Sequence, residues 1–355
     1  MNQLIQSFEK DKDAYEYCER KIAQVVEDIC KFENLSIHKI ESRVKKVDSL
    51  EKKIEKKNKY TEIDQITDIV GIRIITLFED EVDNVAAVLK KEFEIDVENS
   101  ADKRIKENPE TFGYASLHYV LSLKEPRKSL SEFALIKDIS FEVQVRSVLQ
   151  HAWAEIEHDL GYKSNSEIPR HIRRNFSRVS SLLEAADIEF VRIKEELEKY
   201  KSQLQGEINV ISNYSDIELD KLSVLEYLKT SDDIQEVTNE MTKELNYPLL
   251  DDEFITLSAM KLFNIANINE LDSIVKRYKT QMIKFGLRWK REREANPNIT
   301  YYFILLTLFY VLLYLEHDDE MLCEFLESSG ISKKYHDRIK ELFANYKEEK
   351  FLINN

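Results

Sequence analysis

Residues 301 to 315 read Tyr-Tyr-Phe-Ile-Leu-Leu-Thr-Leu-Phe-Tyr-Val-Leu-Leu-Tyr-Leu, fifteen in a row without a charge. A helix built from this run has no polar face, so it must be surrounded by protein or lipid. It would span roughly 22 Å at 1.5 Å per residue, short of the ~30 Å hydrocarbon core of a bilayer. It therefore reads as a helix buried in a bundle, with no membrane as partner. Its surroundings agree. Beyond about residue 206 the apolar spacing is helical throughout, with breaks expected at Pro248, Gly286, Pro297 and Gly330.

The first half of the chain changes period repeatedly. Leu4, Phe8, Tyr15, Ile22, Val26 and Ile29 recur at helical spacing up to Phe32, and a highly charged helix is expected over Val47 to Asn58. Ile66 to Thr76 is a β-branched run suited to a buried strand, followed by an amphipathic helix from Val82 to Phe93. Phe112 to Leu123 and Phe141 to Arg146 alternate as strands. The second does so strictly, with Phe141, Val143 and Val145 on one face and Glu142, Gln144 and Arg146 on the other. Helix returns over Val148 to Tyr162 and again, after Pro169 in a first-turn position, to about Gln205. The pattern predicts an α/β domain over residues 1–205 and an all-α domain over 206–355, joined at the weakly periodic stretch Ile208 to Asp216. A length of 355 residues also suggests two domains.

The net charge of −15 disfavours a general binder of nucleic acid or anionic membrane, but leaves room for a local basic pocket. Cys18, Cys30 and Cys323 lie far apart, without metal-ligand spacing, and Met1 to Lys10 lacks the apolar segment of a signal peptide. Free thiols in a reducing, cytoplasmic compartment are expected.

Moving a phosphoryl or pyrophosphoryl group requires cations to gather the phosphates, a carboxylate for Mg²⁺ and a base near the attacking hydroxyl. The chain offers those residue types on short, regular elements. Arg43, Lys45, Ser49 and Lys53 are expected at the entrance to a helix, with 45, 49 and 53 four apart on one face. Asp68 opens an otherwise apolar strand, Asp-Ile-Val-Gly-Ile-Arg, that closes on Arg73. Taken alone, a strand-end cap is the commoner role for such an aspartate, and a solvated sheet face the commoner role for Glu142, Gln144 and Arg146. In Gly113-Tyr114-Ala-Ser116-Leu-His118, Tyr114 and His118 face one way on a strand, as an aromatic platform with a polar group beyond it; a core tyrosine is the simpler reading.

These segments occur in order and end in His151-Ala-Trp153-Ala-Glu155-Ile-Glu157-His158. Together they resemble the synthetase domain of the RelA/SpoT family, the GTP pyrophosphokinases or alarmone synthetases, over about residues 40 to 165. The resemblance implies a nucleotidyltransferase-like mixed β-sheet flanked by helices. It also implies transfer of the β,γ-pyrophosphate of ATP to the 3′-hydroxyl of GDP or GTP, giving (p)ppGpp and AMP with Mg²⁺ as cofactor. Carried over by position, Arg43 and Arg73 would pack against adenine, and Lys45 and Lys53 would meet the ATP phosphates with Ser49 in the same loop–helix unit. Asp68 would hold Mg²⁺, and Glu142 would assist the metal or activate the acceptor hydroxyl. Tyr114 would stack on the acceptor base, with His118, Gln144 and Arg146 supporting that side. The family also implies a homo-oligomer.

Where family members often carry Pro-Lys-x-Asn, this chain reads Pro109-Glu110-Thr111-Phe112, so a lysine contact to phosphate is missing; Lys103, Arg104 or Lys106 are the nearby replacements. With 42 residues ahead of Arg43, no hydrolase domain and no ppGpp hydrolysis are expected. Some relatives pyrophosphorylate the 3′ end of tRNA or adenine nucleotides. The stripe Arg170, Arg173, Arg174, Arg178 keeps a tRNA acceptor open, and a non-catalytic nucleotide-binding signalling module is a further alternative. Glu155 and His158 form one Glu-x-x-His pair, but a di-iron bundle needs two.

Overall fold

The structure is a computed structural model that describes residues 3–104, 116–162, 169–210, 217–293 except 253 and 256, 297–316, 319–329 and 331–348. The chain divides into two compact units, Met1–Glu195 and Glu196–Asn355.

The first unit opens with helices α1 (Gln3–Lys10) and α2 (Lys12–Phe32). The single helix expected from Leu4 to Phe32 is broken at Asp11, which takes a non-helical conformation. Then follow strand β1 (Ile37–Val44), α3 (Val47–Lys57), β2 (Val70–Thr76), α4 (Asp80–Glu92) and β3 (Phe93–Asp102). The unit continues with β4 (Leu117–Leu123), the short α5 (Glu125–Lys128), β5 (Phe141–Ser147), α6 (Val148–Tyr162) and the start of α7 (Arg170–Val210).

The five strands form one mixed sheet in the order β1-β2-β5-β4-β3, parallel only between β2 and β5. Its core is apolar: Ile72, Ile74, Phe141, Val143 and Val145 are fully buried, in one cluster with Phe8, Ile22, Leu50, Val82 and Leu89 from the helices. The fold class expected for this half is present.

Two strands were not expected from sequence, β1 and β3, and they are the two edges of the sheet. Each pairs on one side only, and each carries a register irregularity, between Ile37 and Lys39 in β1 and between Asp96 and Ala101 in β3. The irregularities break the two-residue alternation that would have marked them. Recognising β1 corrects the placement of Arg43, which lies on a strand and not at a helix entrance. Strand β2 begins at Val70, not Ile66. Asp68 therefore sits in the turn ahead of the strand rather than opening it.

The second unit contains α8 (Lys221–Thr230), α9 (Asp232–Leu245), α10 (Ser258–Leu262), α11 (Ile268–Arg293), α12 (Tyr301–Glu316), α13 (Asp319–Ser328) and α14 (His336–Glu348). A two-residue parallel pair, β6 (Leu249–Leu250) with β7 (Ile299–Thr300), is the small departure from an all-helical reading. The apolar run forms α12 as expected. Ile304, Leu308, Phe309, Val311 and Tyr314 have no exposed surface, and the helix is buried among other residues of its own unit. Among the described residues no helix is long and apolar enough to cross a membrane.

Gly286 does not break a helix; α11 passes through it. A Cβ at this position would lie 2.2 Å from Met241 Cε and 3.1 Å from Thr307 Cγ2, so glycine is there to let α11 approach its neighbours closely. Pro248 follows the end of α9 at Leu245, Pro297 lies in a bend ahead of β7, and Gly330 lies outside the described residues.

Candidate active site

The sheet has one face packed on helices and one face carrying charge. In register across it, Arg43 lies beside Gly71 and Gly71 beside Glu142, while Glu41, Arg73, Gln144 and His118 form the next row. The alternation of β5 aims Glu142, Gln144 and Arg146 at this polar face. Because Gly71 has no side chain, the strip between Arg43 and Glu142 stays open; a Cβ there would already touch Arg43 at 3.9 Å. The result is a cleft of about 340 Å³ lined by Glu41, Ser42, Arg43, Asp68, Gly71, Arg73, Glu142 and Gln144.

Asp68 stands in this cleft between two lysines. Lys45 Nζ is 3.0 Å and Lys53 Nζ 2.8 Å from its carboxylate oxygens, all three side chains being mostly buried. Lys45 is fixed where β1 ends, its N–H donating to the Ile69 carbonyl at 2.8 Å, and Lys53 reaches in from α3. Burial pushes the Asp68 carboxyl up, but the hydrogen bond from Lys53 and the charges of both lysines outweigh it and hold the group below its ordinary range. Asp68 is ionised at neutral pH, and two cations are preset beside it.

Glu142 is held from both sides. His118 Nδ1 lies 2.9 Å from Glu142 Oε1, and Gln144 Nε2 donates to Oε2 at 3.1 Å. Gln144 Oε1 in turn accepts from an Arg146 amino group at 2.8 Å. Burial raises Glu142, as does the nearby Asp68 charge, yet His118 and Gln144 hold it below its usual range. Both carboxylates line the one cleft, so each charge acts on the other. Arg146 is almost fully buried, so its charge acts through Gln144 at the base of the sheet rather than at the surface.

Arg73 Nη1 is 2.8 Å from Glu155 on α6 and 3.7 Å from Glu41 on β1. This pins the guanidinium at the rim of the cleft. Arg43 is exposed and has no ion-pair partner among the described residues. Ser49 is exposed on α3 and does not line the cleft. Tyr114 and Lys106 lie outside the described residues. Arg104 is bound by Asp102 and Asp83, both at 2.7–2.8 Å, and lines a different pocket, so it does not supply the missing phosphate contact in this arrangement.

Sequence reasoning left Glu41, Glu155 and Ser116 without roles. Glu41 sits on the unrecognised edge strand. In sequence Glu155 reads only as half of a Glu-x-x-His pair, and among the described residues no group of three or more His, Cys, Asp or Glu is arranged to hold a metal by itself.

Residues 42–167 match the family described as "Region found in RelA / SpoT proteins". GTP pyrophosphokinase YwaC of Bacillus subtilis (strain 168) is 27% identical over 168 residues, which are 46% of this chain and 76% of that protein. GTP pyrophosphokinase YjbM of the same organism is 32% identical over 165 residues, 45% of this chain and 73% of that protein. The crystal structure of small alarmone synthetase 1 from Bacillus subtilis is 26% identical, covers 55% of this chain and 99% of its own, and superposes with a TM-score of 0.46. The 32% identity over 73% of YjbM shows the family, and Arg43, Asp68, Arg73, Glu142 and Gln144 of the cleft lie inside the matched segment. On those grounds the chain belongs to the RelA/SpoT family, as a synthetase-type member.

Proposed function

We propose that the chain transfers the β,γ-pyrophosphate of ATP to the 3′-hydroxyl of GDP or GTP, forming (p)ppGpp and AMP. Both curated relatives bear the name GTP pyrophosphokinase. The single observation that carries the reading is the pair of ionised carboxylates, Asp68 and Glu142, in one cleft with Lys45 and Lys53 already drawn to its edge. Pyrophosphoryl transfer asks little covalent chemistry of a protein and much positioning and charge compensation.

Mg²⁺ fits this donor set. It prefers oxygen ligands and is commonly held by one or two carboxylates together with substrate phosphates, rather than by a cage of protein groups. Asp68 and Glu142 supply two oxygen donors that are ionised at neutral pH, and these would hold it. When bound, the ion would neutralise charge developing on the transferred phosphates.

The protein groups divide the remaining work. Lys45 and Lys53 exchange Asp68 for the ATP phosphates. Arg43 and Arg73 flank the adenine, with Glu155 and Glu41 holding Arg73 in position. The low proton affinity of Glu142 makes it a weak base. Its carboxylate accepts a hydrogen bond from the acceptor hydroxyl and orients it, rather than fully removing the proton before attack. Purified protein, γ-labelled ATP and GDP, GTP, ATP or tRNA, resolved by thin-layer chromatography, tests the proposal. Labelled (p)ppGpp is the expected product; label appearing only on tRNA or on an adenine nucleotide overturns the acceptor, and no transfer to any acceptor overturns the enzyme.

A further inference from the structure

Glu41 lines the cleft beside the two arginines assigned to adenine. It lies two residues from Arg43 on β1, so both side chains leave the same face, and it stands opposite Arg73 in the register of β1 with β2. Its charge is out of place in a site that gathers polyphosphate, which a carboxylate repels. Distance resolves this. A strand rises ~3.3 Å per residue, so Glu41 lies roughly 13 Å along the chain from Lys45, away from the cations that would take the phosphates.

The two oxygens of Glu41 are in different states. Oε1 accepts from Lys39 at 2.8 Å, and that hydrogen bond holds the carboxyl below its ordinary range against the opposing effect of burial. An ionised carboxylate only accepts. Oε2 is paired with Arg73 Nη1 at 3.7 Å, which attracts it as a charge but is beyond hydrogen-bond distance. Arg73 gives its close contact, at 2.8 Å, to Glu155 instead. Glu41 therefore brings to the cleft one acceptor oxygen with no hydrogen-bond donor among the described residues.

A purine supplies such a donor. Arginine stacks on the faces of an aromatic ring, so a base packed against Arg43 and Arg73 has its edge left for Glu41. The ribose, between base and phosphates, lies nearer the row of Arg43 and Gly71. Adenine carries a donating amine on C6, whereas guanine in the same pose carries an acceptor oxygen. Two acceptors facing each other repel, and specificity is commonly built from such a repulsion against the wrong ligand. The need is real here, because both substrates of the proposed reaction are purine nucleotides and one cleft must tell them apart.

We propose that Glu41 reads the donor base: its free carboxylate oxygen accepts a hydrogen bond from the 6-amino group of adenine, admitting ATP and turning guanine away from the donor half of the cleft. This rests on the placement of adenine against Arg43 and Arg73 proposed above.

Binding, measured without turnover, tests the contact. Isothermal titration of the full-length wild type and of E41A, with Mg²⁺ and no acceptor, uses ATP and purine riboside triphosphate, which lacks only the 6-amino group. Wild type should bind ATP about 10–100-fold more tightly than the analogue, and E41A should bind the two within about twofold of each other. E41Q keeps the shape of the side chain and guards against a folding defect in E41A. Lys39 holds its amide oxygen, so N–H groups face the base and the preference should be lost there too. Equal weakening of both ligands in the variants would assign Glu41 to orienting Arg73 and overturn the contact. A preference that survives in both variants, or that appears against 2′-deoxy-ATP instead, overturns it as well. Loss of the preference in a protein that makes no (p)ppGpp leaves the base contact standing while the transfer reading falls. Synthesis of (p)ppGpp with the preference intact in the variants is the reverse.

Discussion

Replacing Asp68 by Asn keeps the shape of the side chain and one acceptor oxygen but removes the charge that holds Lys45 and Lys53. Breaking a fully buried ion pair on one side costs about 3–5 kcal/mol, and an exposed one about 0–1. With side-chain exposures of 22% for Asp68, 14% for Lys45 and 23% for Lys53, the site lies between these limits. The retained amide oxygen lowers the penalty further, so the expected destabilisation is about 1–2 kcal/mol. A domain with a typical stability of ~5–15 kcal/mol survives that loss. Catalysis should suffer far more. Losing one preorganised electrostatic group typically costs about 10²–10³-fold in kcat, or ~2.7–4 kcal/mol of transition-state stabilisation. The two lysines are meanwhile released, so ATP binding in the absence of added metal should hold or tighten. Turnover at saturating ATP and Mg²⁺, nucleotide titration without Mg²⁺, and circular-dichroism melting of both proteins separate these effects. A variant that melts like wild type and turns over within about threefold of it would refute the reasoning, because the ~10²-fold effect assigned to the charge would be absent.

Asp68 and Glu142 both have folded-state proton affinities below the ordinary carboxylate range. Their contribution to stability is therefore full above the unfolded values of about 4, and is lost as pH falls through the lower folded values. Activity should show no acid limb from either group above about pH 5; a limb there that disappears in E142Q would contradict this. Gly286→Ala adds a better helix former, worth up to ~1 kcal/mol, but drives a methyl into buried Met241, which costs about 1–3 kcal/mol. The melting temperature should fall, and by less when G286A is introduced into an M241A background than into the wild type; a rise in the single variant would show that the contact is slack. Residues 1–195 should fold alone, because the sheet's buried cluster contains no residue beyond Val145 while Leu204 belongs to the cluster of the helical unit. A soluble fragment with one cooperative melting transition is the expected result, whereas insolubility would mean a shared core.

The sequence by itself determined the features that depend on one element at a time. Strict alternation in Phe141 to Arg146 told which side chains face the core, because a period of two has only two faces. The uncharged run from Tyr301 to Leu315 required a helix packed all round, and α12 is one. Asp68, Glu142 and the basic residues before them were visible as types in order. Only the tertiary structure decided what depends on neighbours far along the chain. Edge strands β1 and β3 pair on one side, tolerate polar residues and bulge, so their local pattern is weak until partners are known. That Lys45 and Lys53 converge on Asp68, and that Glu155 reaches back 82 residues to Arg73, follow from how a helix and a turn are placed against the sheet. That His118 meets Glu142 across a strand pair follows from register, and a one-residue slip would turn both side chains to the other face. Gly286 makes the same point in the helical unit. In sequence it reads as a helix breaker, and only the approach of Met241 shows that it stands there to admit a neighbouring side chain.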